Sequence, residues 1–159
     1  MKRFLTLLAA AVLAGCASTS ATRLSHNEVL ISTSAAPACR GSGAMQVASR
    51  MAAVETLRNG FERFVIVAAG STNNVRATSM PPTGAFTTGT FNTMGGTTYS
   101  TATTNFTGGG PMIYGTHDSA LRVLMINRGE PGFERGVDAR AALGPDWEKR
   151  VKEGIRTCR

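Results

Sequence analysis

The hydrophobic positions of this chain change their period several times, and each change marks an element. Phe4 to Leu13 is an almost unbroken apolar run, too short for a membrane-crossing helix of about 20 residues. Ala17 to Asn27 is small and polar, buries little, and reads with Cys16 as a flexible tether over residues 16–27. Glu28 to Ser34 is rich in β-branched residues and predicts a strand. A loop with Pro37 and Cys39 follows. From Gly43 to Asn59, the residues Ala44, Val47, Ala48, Met51, Val54 and Leu57 recur at three- and four-residue steps. That is one apolar stripe of a helix, and Asn59-Gly60 supplies its stop because both tolerate a left-handed backbone.

Phe64 to Ala69 is apolar at every position, the pattern of a central strand buried on both faces. Ser119 to Asn127 predicts another strand, with Leu121, Val123 and Met125 on one face. Gly129-Glu130-Pro131-Gly132 is a turn, and Glu134 to Leu143 reads as a short helix. Gly144-Pro145-Asp146 opens a C-terminal helix over about 146–156, with Pro in the first turn and Asp at the positive end of the dipole. Trp147, Val151, Ile155 and Cys158 form its buried stripe. Lys149, Arg150, Lys152, Arg156 and Arg159 lie mostly off it, as a solvated polar face. The fold class is therefore α+β: one small two-layer domain over 28–159, with both helices packed on a mainly antiparallel sheet.

An insertion over 77–117 stands apart. It contains no Asp, Glu, Lys or Arg, and 18 of the 28 residues from Thr83 to Gly110 are Thr or Gly. Two readings compete. Thr97 to Phe106 alternates like one strand of a hairpin arm, or the segment is a low-complexity loop. Phe86, Phe91, Tyr99 and Phe106 are spaced by 5, 8 and 7 residues, with no regular repeat. Such aromatics on a Thr/Asn surface suit stacking on a sugar or docking a partner. The favoured expectation is that they pin the segment onto the domain, since unpinned they would expose a large apolar surface.

The first sixteen residues carry the most specific signal. Lys2 and Arg3 precede the apolar run, whose length is that of a signal-peptide core. Leu13-Ala14-Gly15-Cys16 then resembles the lipobox of bacterial lipoproteins. The resemblance implies cleavage before Cys16 and covalent diacylglyceryl and N-acyl lipid on Cys16. Each buried methylene contributes about 0.8 kcal/mol, and several acyl chains hold stably where one holds only reversibly. Ala17 is not the Asp that retains many lipoproteins in the inner membrane. By resemblance to the sorting rule of Gram-negative bacteria, this favours the outer membrane, facing the periplasm.

That address changes how the rest is weighed. Without Lys2 and Arg3, fifteen basic residues face ten acidic ones, a charge of +5, but a nucleic-acid partner does not fit the envelope. With Cys16 taken by lipid, Cys39 and Cys158 remain, and an oxidising compartment predicts a disulfide between them. Neither has a second Cys or His at zinc-ligand spacing, so no metal or cofactor is expected. His26 falls in the tether. His117-Asp118 is the only neighbouring acid–base pair, and adjacent strand residues point to opposite faces. Asp118, Asp138, Asp146 and the glutamates show no recurring spacing, and no nucleophile elbow, phosphate loop or metalloprotease pattern occurs. No catalytic residue is assigned, and an enzyme is not expected.

A helix ending in Asn-Gly, then Phe61-Glu62-Arg63-Phe64 leading into a strand, a Gly/Ser/Thr-rich middle and a C-terminal cysteine are similar to small uncharacterised lipoproteins of alphaproteobacteria. That resemblance implies no activity. The expectation is a membrane-anchored envelope protein with a binding or structural role, its partners being the bilayer and an envelope protein or glycan. The alternative is a stress-sensing lipoprotein that signals through its disulfide-tied domain.

Overall fold

A computed structural model describes residues 16–158; residues 1–15, on which the expected export signal falls, and Arg159 lie outside the described residues. The elements in order are β1 (Ala17–Arg23), β2 (Glu28–Ala35), α1 (Arg40–Arg58), β3 (Arg63–Asn73), β4 (Arg76–Met80), β5 (Gly84–Met94), β6 (Thr97–Thr107), β7 (Gly110–Tyr114), β8 (His117–Ile126), β9 (Val137–Asp138), α2 (Ala139–Leu143) and α3 (Trp147–Glu153). They form two compact units, residues 76–114 and the rest.

The larger unit is α+β in two layers. Its antiparallel sheet runs β1-β2-β8-β3-β9, and α1 lies on one face. Register explains the core. Val29, Ile31 and Thr33 on β2 stand opposite Val123, Leu121 and Ser119 on β8, and all six are buried. α1 meets them with Val47, Ala48, Met51, Ala52, Ala53 and Val54, and its small alanines let the helix approach the sheet closely. Each large apolar side chain buried there contributes about 1.5–3 kcal/mol.

α1 ends as its sequence predicts. Gly60, at φ +81°, takes the left-handed position. The Phe61 N–H donates to the Thr56 carbonyl at 3.0 Å and the Gly60 N–H to that of Leu57 at 3.1 Å, the pattern of a Schellman stop. The start is earlier than the stripe implied: a 3-10 turn at Pro37–Cys39 leads straight into a helix beginning at Arg40.

Four expectations are corrected. Residues 17–23 are no tether but β1, paired with β2 along its whole length from Ala17↔Ala35 to Arg23↔Val29. Its pairing rests on the backbone ladder and on the Thr19–Thr33 hydroxyl pair at 3.0 Å, for which few apolar residues are needed. Phe64 is fully buried, yet Ile66, Val67, Ala68 and Ala69 are exposed. β9 pairs only with Arg63 and Phe64, so from Val65 onward β3 has β8 on one side and, among the described residues, no sheet partner on the other. The helix expected over 134–143 divides into a 3-10 turn (Phe133–Arg135), β9 and the short α2, the last capped by the Asp138 carboxylate accepting from the Ala141 N–H at 2.9 Å. The C-terminal helix ends at Glu153 because Gly154 adopts φ +73°. Ile155 and Cys158 reach the core from the extended chain beyond it.

The smaller unit is the hairpin arm. β4 pairs with β7 and β5 with β6, both antiparallel. Gly95 and Gly96, at φ +59° and +82°, make the two-residue tip between Met94 and Thr97, where both central residues need positive φ.

Candidate functional site

Three places carry the residues singled out in the sequence. The first is the edge where the chain begins and ends. The Ala36 N–H donates to the Cys16 carbonyl at 3.1 Å, the Ala17 N–H donates to that of Arg156 at 2.9 Å, and Cys16 forms a bridge with Thr157. One residue on, Cys158 is disulfide-bonded to Cys39, with Cα atoms 5.7 Å apart. Gly43 makes room for that bond: a Cβ there would lie 3.1 Å from the Cβ atoms of both cysteines. Cys16 is exposed and takes no part in the disulfide. Arg58 reinforces this edge by donating to the Val151 carbonyl at 2.9 and 2.7 Å, a basic side chain on the carbonyl end of α3. The Ile155 N–H lies 3.2 Å from the Met51 sulfur.

The second place is the open face of the sheet. Ser18, Ser20, Ser32, Ser34, Thr72 and Asp118 line a shallow cleft of about 550 Å³. Hydroxyls around one carboxylate can hydrogen-bond an uncharged polar ligand. The Ser34 hydroxyl donates to Asp118 Oδ1 at 2.7 Å and the Asn74 amide to Oδ2 at 2.6 Å. The Ser34 bond foremost, then those of Thr116 and Asn74, hold the Asp118 carboxyl below the usual carboxylate range, with His117 adding a little. A carboxyl held ionised ties β2, β8 and the connection after β3 together and is poorly suited to giving up a proton near neutrality.

His117 does not join it: His117 is in register with buried Ala35, whereas Asp118 is in register with exposed Ser34, so the two side chains leave opposite faces of β8. His26 packs edge-on against Phe61 at 5.8 Å. Asp146 sits at the start of α3. Among the described residues, no three His, Cys, Asp or Glu side chains gather as metal ligands, and no helix is long and apolar enough to cross a membrane.

Asp118 gives a pH prediction. An unfolded Asp titrates near 3.9 and the folded carboxyl lies lower. Its stabilising contribution is therefore complete above about pH 4 and is lost as acid carries the pH down through the folded value. Asp118→Asn should melt below the wild type at neutral pH, and the gap should narrow below about pH 4. Thermal scans of both proteins between those conditions check this; a gap that widens in acid contradicts it.

The third place is the arm. Phe86, Phe91, Tyr99 and Phe106 are 66, 77, 64 and 67 % exposed. Alternation offered the hairpin as one of two readings, and a pattern of Thr and aromatics has the same period whether one face is covered or neither is. The Ser34–Asp118–Asn74 cluster was equally invisible, since its members are 84 and 44 residues apart in sequence. Only the β2–β8 pairing, legible from two matching apolar strands, hinted that Ser34 and Asp118 meet. Comparison of the chain with family models, with curated proteins and with solved structures gives no match.

Proposed function

We propose that this protein is an envelope lipoprotein, exported, cut before Cys16, acylated there, and acting as a binding or structural component on the periplasmic side of the outer membrane. The observation that carries the reading is Lys2-Arg3, the apolar run Phe4 to Leu13 and Leu13-Ala14-Gly15-Cys16, in that order. The Cys39–Cys158 disulfide supports it, because such bonds persist in oxidising compartments. An exposed Cys16 immediately before β1 also fits: acyl chains attached there start at the surface, and the domain is carried close to the bilayer with little slack. Binding falls to the arm and to the hydroxyl-lined cleft.

Fractionation tests the anchor. The wild type should stay with membranes through salt and alkaline washes and show an intact mass equal to residues 16–159 plus lipid. Cys16→Ser should lose the lipid mass and leave the washed membranes. A wild type that retains Met1, or a Cys16→Ser protein that remains membrane-bound, overturns the reading.

A further inference from the structure

The arm has nothing of its own to bury. From Arg76 to Tyr114 every residue is exposed except Gly84, which is half-buried. The ribbon of β5 and β6 is held by its backbone ladder and by threonine pairs, Thr87–Thr104 at 2.8 Å and Thr93–Thr98 at 3.0 Å. Cross-strand pairs contribute about 0.2–1 kcal/mol each, against about 1–2 kcal/mol to order each backbone residue. An isolated two-stranded ribbon is marginal in water for this reason. Its order calls for a partner.

The chemistry of that partner is readable. Between Ala77 and Thr116 there is no Asp, Glu, Lys or Arg, so a strongly charged partner finds no counter-charge. β5 and β6 are each eleven residues long, in unbroken register from Gly84↔Thr107 to Met94↔Thr97. They contain no Pro, no Lys and no bulge, the features that normally keep sheet edges from pairing. Both long edges of the ribbon are therefore suited to accept another uncharged β-strand. The register also sorts the side chains: Phe91 and Phe106 share one face with Ala85 and Ala102, while Phe86, Tyr99 and Met94 share the other. At their exposures of 77 and 67 %, Phe91 and Phe106 present on the order of 300 Å² on one face, apolar area that adds to the backbone pairing along an edge.

We propose that the ribbon Gly84–Thr107 pairs edge to edge, antiparallel, with the same ribbon of a second copy of this chain, which sets the Phe91–Phe106 faces of the two copies side by side on one face of a four-stranded sheet. Antiparallel pairing of one edge with itself is a two-fold arrangement, and it leaves each copy's other edge to build higher multiples. The inference deepens the binding role given to the arm and does not depend on the Cys16 anchor. The occupant is a second copy because the edge is uncharged, unblocked and complementary to itself.

The test uses the full chain extracted from membranes in detergent, with protein mass per particle measured by light scattering and amide exchange measured along the arm. The wild type should carry two or more chains per particle, with amides in 84–107 protected. Dilution should lower the mass and that protection together. Phe91→Lys/Phe106→Lys should give single chains, while the cooperative melting of the main core, which contains no arm residue, persists. Cys16→Ser should leave the multimer intact, which separates failure of this inference from failure of the anchor. A wild type that is a single chain at every concentration reached overturns the proposal. So does a multimer that survives the double lysine variant, or arm protection that does not change when the multimer dissociates.

Discussion

Replacing both Cys39 and Cys158 by serine lowers the stability of the main domain by about 2–5 kcal/mol, the usual cost of removing a native disulfide from a small secreted domain. The bond joins residues 119 apart, and for a closed loop of that length the chain-entropy account gives about 5 kcal/mol at 25 °C. Local packing acts in the same direction. Cys39 is 7 % exposed and packs with Ala35 and Ala44, so its sulfur is part of the core as well as of the link. The loss also spreads. Thr157 bridges Cys16, and Arg156 accepts from the Ala17 N–H, so releasing Cys158 loosens the place where β1 starts. Thermal unfolding should fall by roughly 10–20 °C. A reductant should reproduce the fall in the wild type and leave the double variant unchanged. Amide exchange at Ala17 and Ala36 should quicken with it. A double variant within about 1 kcal/mol of the wild type, below the usual range for a native disulfide, would show that the C-terminal segment holds without the bond.

The parts of this fold that were legible in the sequence are those where one local pattern suffices. The 3.6-residue stripe of α1, its Asn-Gly stop, and the period-two apolar positions Leu121, Val123 and Met125 each name an element and its buried face. The cysteine pair was legible by elimination once Cys16 was set aside. What stayed hidden depends on a neighbour that sequence does not place. β1 has almost no apolar residues, so nothing in its composition separates a tether from an edge strand whose stability comes from β2. Gly154 ends α3 before Ile155 and Cys158, although the stripe runs on through both. Asp118 acquires its role from Ser34 on β2 and from Asn74 in the connection after β3. The arm's hairpin period was visible, but the exposure of both its faces was not, because alternation records which residues share a face and not what covers it.

Phe64→Ala is expected to destabilise the domain by about 3–5 kcal/mol, whereas Ile66→Ala and Val67→Ala each cost under about 1 kcal/mol. The three residues belong to a single apolar run that reads as uniformly buried. Phe64 is fully enclosed in the core with α1 and β8, is in register with Met125 and is flanked on its other side by Val137 of β9. Truncation there removes the transfer energy of an aromatic ring and leaves a cavity that neighbours fixed in a sheet fill only partly. Ile66 is 39 % and Val67 50 % exposed. Their loss returns little surface to water and opens no enclosed space. Between them and Arg122 the register shifts, Ile66 pairing with Val123 and Ala68 with Arg122, so Val67 is the extra residue of a bulge that bends the free part of β3. Denaturant titration of the three variants decides the point. Equal losses at all three positions would mean that the back half of β3 is covered in solution, and that the bare strand edge from Val65 to Asn73 has a partner of its own.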